Sequence, residues 1–189
     1  MANVLTEIDD KLAQWIAQQH VFFVATAPLG ADGHINVSPK GMAGTFLVLG
    51  PHQVAYLDYY GSGAETIAHL RENGRIVLMF CAFDGPPRIV RLHGRGRAAL
   101  AGASDSSPDE EFSALRERFS KEREVGQRSI IIVDVERIAD SCGYSVPLLD
   151  FRSDRDILDR GQQRRDPSYF DSYGETKNAT SIDGLPALR

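Results

Sequence analysis

The 189-residue chain is poor in cysteine, tryptophan and lysine, and it contains no long apolar run. Two cysteines, Cys81 and Cys142, stand far apart with no second pair, so neither a disulfide framework nor a cysteine metal site is expected. Both read as free thiols in a reducing compartment. The five histidines are scattered without metal-ligand spacing, and no metal site is expected. No stretch approaches the roughly 20 apolar residues of a membrane span, and the N-terminal MANVLTEIDD lacks the basic and apolar regions of an export signal. The expectation is a cytoplasmic protein with no membrane partner. Lysine and arginine total 21 against 26 acidic residues, a net charge of −5, which argues against a nucleic-acid partner because phosphate contacts need a basic surface.

What is present suits one ordinary domain. Hydrophobic residues make up 42% of the chain and charged residues 25%, enough for a core, while 17 glycines and 9 prolines punctuate it without making it low-complexity. Leu5, Ile8, Leu12, Trp15 and Ile16 recur at helical spacing and predict an amphipathic helix over Thr6 to Gln19. Short β-branched or alternating runs predict strands at Val21 to Ala27, His34 to Lys40, Thr45 to Leu49 and Val54 to Tyr59. A short helix around Ile67 and Leu70 stops at Gly74. Two long strands, Arg75 to Phe83 and Arg88 to Leu100, follow. Ser107-Pro108-Asp109-Glu110 carries the cap, proline and glutamate of a helix start, predicting a helix to about Phe119. Ser129 to Val135 reads as the last central strand. Beyond it lie a loop at Ser141 to Pro147, a charged helix at Asp154 to Arg165 and a polar end that must pack on the body or on another subunit. The architecture expected is α+β, dominated by six or seven mostly antiparallel strands with peripheral helices, its edges removed by closure into a barrel.

Three constellations carry possible chemistry. Arg91, His93, Arg95 and Arg97 alternate along one face of a strand, about 6.6 Å apart. They suit an anionic ligand, while strand statistics alone favour a solvated or ion-paired outer face. Gly61-Ser62-Gly63-Ala64-Glu65-Thr66 is a strand-to-helix junction whose free N–H groups and hydroxyls can hold a phosphate. The same residues also fit a capping box of Ser62 with Glu65. Ser38-Pro39-Lys40-Gly41 ends a strand whose polar face carries Asn36 and Ser38, and Pro39 places it at a sheet edge. Lys40 is one of four lysines against 17 arginines. There is no Gly-Lys-Ser/Thr phosphate loop, no nucleophile elbow and no dinucleotide-binding glycine spacing.

In order and spacing, His34 to Gly41, Val54 to Asp58, Gly61-Ser62-Gly63, Leu70 to Phe80 and Arg88 to Arg97 together resemble the pyridoxamine 5'-phosphate oxidase-like family of FMN-binding split barrels. The resemblance spans residues 20 to 136, leaving 1–19 as an N-terminal helix and 137–189 as a C-terminal interface tail of a single domain. It implies a split β-barrel and a homodimer with FMN at the subunit interface. It assigns Asn36, Val37, Ser38, Pro39 and Lys40 to the cofactor strand, with Lys40 matching a lysine that binds substrate phosphate in the true oxidases. It places Tyr59, Tyr60, Ser62, Gly63 and Thr66 at the ribityl phosphate. The family's basic pair at the helix start is here Glu65-Thr66, so Arg91 or Arg95 has to supply the missing charge. The family's C-terminal tryptophan and arginine-histidine signature are missing, because the single tryptophan is Trp15. In their place the tail, with Cys142, Tyr144 and Asn178, either covers the flavin and defines another substrate or serves as a dimer-stabilising arm. The resemblance implies an FMN-dependent oxidoreductase acting on a small-molecule substrate, with no side chain identified as general acid or base. A flavin- or haem-binding protein without turnover and a deazaflavin-dependent reductase are the alternatives.

Overall fold

A computed structural model describes residues 3–103, 106–122 and 125–188. Within those residues the chain forms a curled antiparallel sheet with five short helices. The strands are β1 (Asn3–Leu5), β2 (Val21–Thr26), β3 (Asn36–Gly41), β4 (Phe46–Gly50), β5 (Gln53–Tyr59), β6 (Arg75–Cys81), β7 (Ile89–Leu100) and β8 (Gln127–Ser141). The helices are α1 (Asp10–Ala17), α2 (Glu65–Asn73), α3 (Glu110–Arg116), α4 (Ile157–Gln162) and α5 (Pro167–Thr176). Seven strands run in the order β3-β2-β6-β7-β8-β5-β4, and β1 adds to β8. The sheet curls until its ends meet through side chains: Phe22 of β2 meets Phe46 of β4 at 5.0 Å between ring centres, and Lys40 of β3 reaches Asp58 of β5 at 2.8 Å. This is the α+β split barrel expected.

The core follows from strand periodicity. Phe22, Val24, Leu78, Phe80, Val90, Leu92, Tyr56 and Ile131 project inward, and α1 and α2 close the interior with Leu12, Ile16, Ile67 and Leu70. A second cluster lies under α3, where Phe112 and Phe119 cover Leu57, Tyr59, Ile130 and Ile132. Ile130 to Val133 is an unbroken apolar run because both faces of β8 are buried there, the even positions under α3 and the odd ones in the barrel.

Several boundaries differ from the sequence expectations for identifiable reasons. The first helix starts at Asp10, because the Asp9 carboxylate caps it by accepting from the Leu12 amide at 2.8 Å. Residues 3–5 therefore remain free to pair with Ile138 to Asp140. That pairing carries β8 six residues past Val135, well beyond the barrel end expected at 136. Helix α3 begins at Glu110, since Asp109 turns its carboxylate to the Leu100 amide at 2.6 Å and no side chain caps the helix. The charged segment yields only the six-residue α4, and an unforeseen α5 follows, capped by Asp166 with Pro167 in its first turn.

Candidate functional site

Alternation on β3 sorts its residues onto opposite faces. Asn36, Ser38 and Lys40 point into the split, whereas Val37 and Pro39 face outward, Val37 at 62% exposure. Behind the inward set lies a chain of hydrogen bonds. The Asn36 amide donates to the Thr26 and Thr66 hydroxyls, each at 3.2 Å, and Ser38 donates to the Asn36 carbonyl oxygen at 2.9 Å. Thr26 in turn meets Nδ1 of the fully buried His69 at 2.9 Å. Burial pushes the His69 pKa down, against the opposing pull of Glu65, Asp183 and Glu72. Its Nε2 and the buried Tyr56 hydroxyl have no partner of hydrogen-bonding geometry among the described residues, although Thr66 is near Tyr56.

The electrostatic centre is Asp58, 1% exposed at the end of β5. Lys40 Nζ reaches one carboxylate oxygen across the split at 2.8 Å, and Arg128 Nε reaches the other at 2.6 Å. Burial by itself would raise the Asp58 pKa, but the two cations outweigh it and hold it at about 2. Two cations share one carboxylate, so the cluster carries a net charge of +1 in a buried place. Arg128 also donates to the Asn178 side-chain oxygen at 2.7 Å, and Asn178 donates to the Gly61 carbonyl at 2.9 Å. The C-terminal segment is thereby fastened onto the strand-to-helix junction.

The junction departs from the expected capping box. No side chain caps α2, whose N-cap is Ala64, so the Ser62–Glu65 box does not form. The Glu65 carboxylate instead lies against Gly63 and accepts from the Ile182 amide at 3.3 Å. The Asp183 carboxylate takes the His34 amide at 2.8 Å and the His34 ring at 2.6 Å. Thr66 is buried and bonded to Asn36, while Ser62 is exposed.

The expected residues are thus gathered only in part. Asn36, Ser38, Lys40 and Thr66 share the split. Val37, Pro39 and Arg91 share the outer face instead: cross-strand register places Pro39, Phe23, Met79 and Arg91 in one row and Val37, Ala25, Val77 and His93 in the next. Arg91 donates to Ser141 at 3.3 Å, and the two strands between β3 and β7 keep it out of the split. Arg95 bonds the Asn73 carbonyl at 2.7 Å and lies 3.6 Å from Glu136; Arg97 pairs with Glu111 at 2.6 Å and Asp134 at 3.0 Å. At Arg95 and Arg97 the basic stripe is therefore an ion-paired face, whereas at His93 burial, together with the neighbouring cations Arg137 and Arg91, pushes the pKa down. Tyr59 points to the α3 side and meets Gln127, Tyr60 packs on Phe170, and Tyr144 is 82% exposed in the loop after β8. Asp58 and Arg128 were missed from the sequence. Their only signal was a charge in each of two apolar strands.

A model of the family described as pyridoxamine 5'-phosphate oxidase matches residues 8–142. The pyridoxamine 5'-phosphate oxidase family protein ustO of Aspergillus flavus is 40% identical over 195 residues, covering 96% of this chain and 76% of that protein. Among solved structures, a FAD-binding protein from Mesorhizobium loti is 15% identical at a TM-score of 0.47, over 74% of this chain and 96% of its own. An FMN-binding protein from Syntrophomonas wolfei subsp. wolfei is likewise 15% identical at 0.47, over 73% and 84%.

Proposed function

This chain belongs to the pyridoxamine 5'-phosphate oxidase family, and from that premise we propose that it is a cytoplasmic flavin-dependent oxidoreductase that binds FMN and acts on a small-molecule substrate. The observation that carries the reading is the edge strand β3. It ends the sheet, so one side of its backbone has no strand partner among the described residues, with an apolar outer face and a polar inner one. A flavin ring needs that donor set: backbone N–H and C=O groups for its pyrimidine edge and apolar contact for its benzenoid end. Residues Val37 to Pro39 would hold the ring. The net positive Lys40–Asp58–Arg128 cluster would draw the phosphate end. When bound, FMN supplies the hydride or electron-pair chemistry, and the protein supplies binding, orientation and electrostatics.

The outer face supports a homodimer. Val37, Pro39, Phe23, Ala25, Val77 and Met79 form a contiguous apolar patch over three strands, none of them buried in the single chain, and Ile35 beside it is 74% exposed. A second copy on this face would set two β3 edges, and so two flavins, against the interface.

The test is spectroscopic. Purified protein should carry or take up one FMN per protomer, released on denaturation, and anaerobic NADH or NADPH should bleach it within ordinary turnover times. A protein that binds neither FMN nor FAD overturns the reading. Flavin that binds but is never reduced leaves a carrier in place of an enzyme.

A further inference from the structure

From Gly41, the last residue of β3, onward the chain lines a cavity of about 390 Å³ that neither the hydrogen-bonded split nor the outer patch uses. That volume is within the roughly 300–1,000 Å³ of small-molecule sites. Ile16 of α1 and the rings of Phe22, Phe46 and Phe80 form its floor. The rings pack on one another with centres 5.0 to 5.4 Å apart, which fixes their planes. Phe46 and Val48 of the outer strand β4 pack against the core and keep part of their surface accessible.

The mouth is built and held. It is the segment from Gly41 to Thr45, where Met42 takes a left-handed conformation at φ 73°, costly for a side chain of its size and retained only where the surroundings demand it. Thr45 donates to the Gly41 and Met42 carbonyls at 2.9 and 2.8 Å, the Ala43 amide donates to the Asp154 carboxylate at 3.0 Å, and Lys121 donates its backbone N–H to Gly44 at 3.2 Å. On the far rim the His20 ring stacks on Phe151 at 3.5 Å and 6°.

The lining decides the ligand class. Among the described residues it includes no lysine or arginine, and its titratable members there are His20 and Asp154. Lys40, one residue from the mouth, is turned away and bonded to Asp58. Among the described lining residues a phosphate would meet a carboxylate and no lysine or arginine, whereas a flat ring would meet apolar walls with polar groups at the rim. We propose that this cavity binds a small aromatic molecule that is uncharged or cationic, and discriminates against phosphate esters and other anions. The proposal needs no flavin and stands apart from the function proposed above.

The experiment compares 2-naphthol with 2-naphthyl phosphate, which share a ring and differ in charge, by titration calorimetry on the full chain as purified. One saturable site for 2-naphthol is expected, with 2-naphthyl phosphate at least tenfold weaker. Ala17→Phe, at the exposed rim on α1, should weaken 2-naphthol at least tenfold, and Asp154→Asn should narrow the preference over the phosphate at least threefold. In the unaltered protein, nuclear Overhauser contacts from the naphthol ring should reach Phe46 and Phe80. Equal or tighter binding of the phosphate, undiminished binding by Ala17→Phe, an unchanged preference in Asp154→Asn, or contacts confined to other residues overturns the proposal. Loss of naphthol binding with intact FMN uptake rejects this site alone; the converse rejects the flavin alone.

Discussion

Replacing Asp58 with asparagine removes the one negative charge between Lys40 and Arg128 while keeping size and shape. Asp58 is 1% exposed and Arg128 5%, so little water is available to replace the lost partner. Breaking a buried pair on one side costs about 3–5 kcal/mol, and Lys40, which keeps partial access to solvent, brings the expectation to about 3 kcal/mol at pH 7. The pH dependence is a separate signature. The Asp58 pKa falls from 3.8 to about 2 on folding, so the native state favours the ionised form and the group's contribution is fully present above about pH 5. It is lost as pH falls towards 2: about 1 kcal/mol has gone by pH 3, and about 2 kcal/mol in all by pH 1. Urea unfolding followed by fluorescence of the single Trp15, packed against the core from α1, measures both. The wild type should lose stability faster than Asp58→Asn between pH 5 and 3, the difference being about 1 kcal/mol. Equal midpoints at pH 7 together with parallel acid slopes would show that the cluster holds nothing together.

Three further outcomes follow from the same structure. Gly94 sits at the irregularity between β7 and β8, where a Cβ would collide with the Asp134 carbonyl, so Gly94→Ala should cost about 3 kcal/mol and lower the calorimetric melting temperature by roughly 6–12 °C; an unchanged melting temperature refutes the clash. Asp183→Ala removes the acceptor of both His34 bonds, and limited proteolysis should then cut the 167–188 segment faster while the barrel melts as before. Cleavage at the wild-type rate would mean that the Asn178, Ile182 and Phe170 contacts hold the tail without it. Val37→Asp places a charge in the outer apolar patch, and sedimentation equilibrium should show the proposed dimer converted to monomer, with circular dichroism unchanged; a variant as dimeric as the wild type moves the interface elsewhere.

Local order and alternation in the amino-acid sequence determined the strands, their succession and the two faces of β3. These depend on side-chain period and turn chemistry, which act between near neighbours. The same information identified Asn36, Ser38 and Lys40 as one polar face and Pro39 as the mark of an edge. What only tertiary structure decided was which charges meet. Asp58 and Arg128 are 70 residues apart and adjoin because β5 and β8 pair; Lys40 joins them only because the sheet curls until β3 faces β5. The capping box at Ser62 was locally sensible yet lost, since the Glu65 side chain found a tail amide 117 residues away. Arg91, Arg95 and Arg97 looked like one cationic stripe along β7, but β8 and α3 supplied carboxylates to its outer half. Period and propensity are properties of neighbours along the chain, whereas the field at a buried charge is summed over every element packed around it, and that sum exists only once the chain has folded.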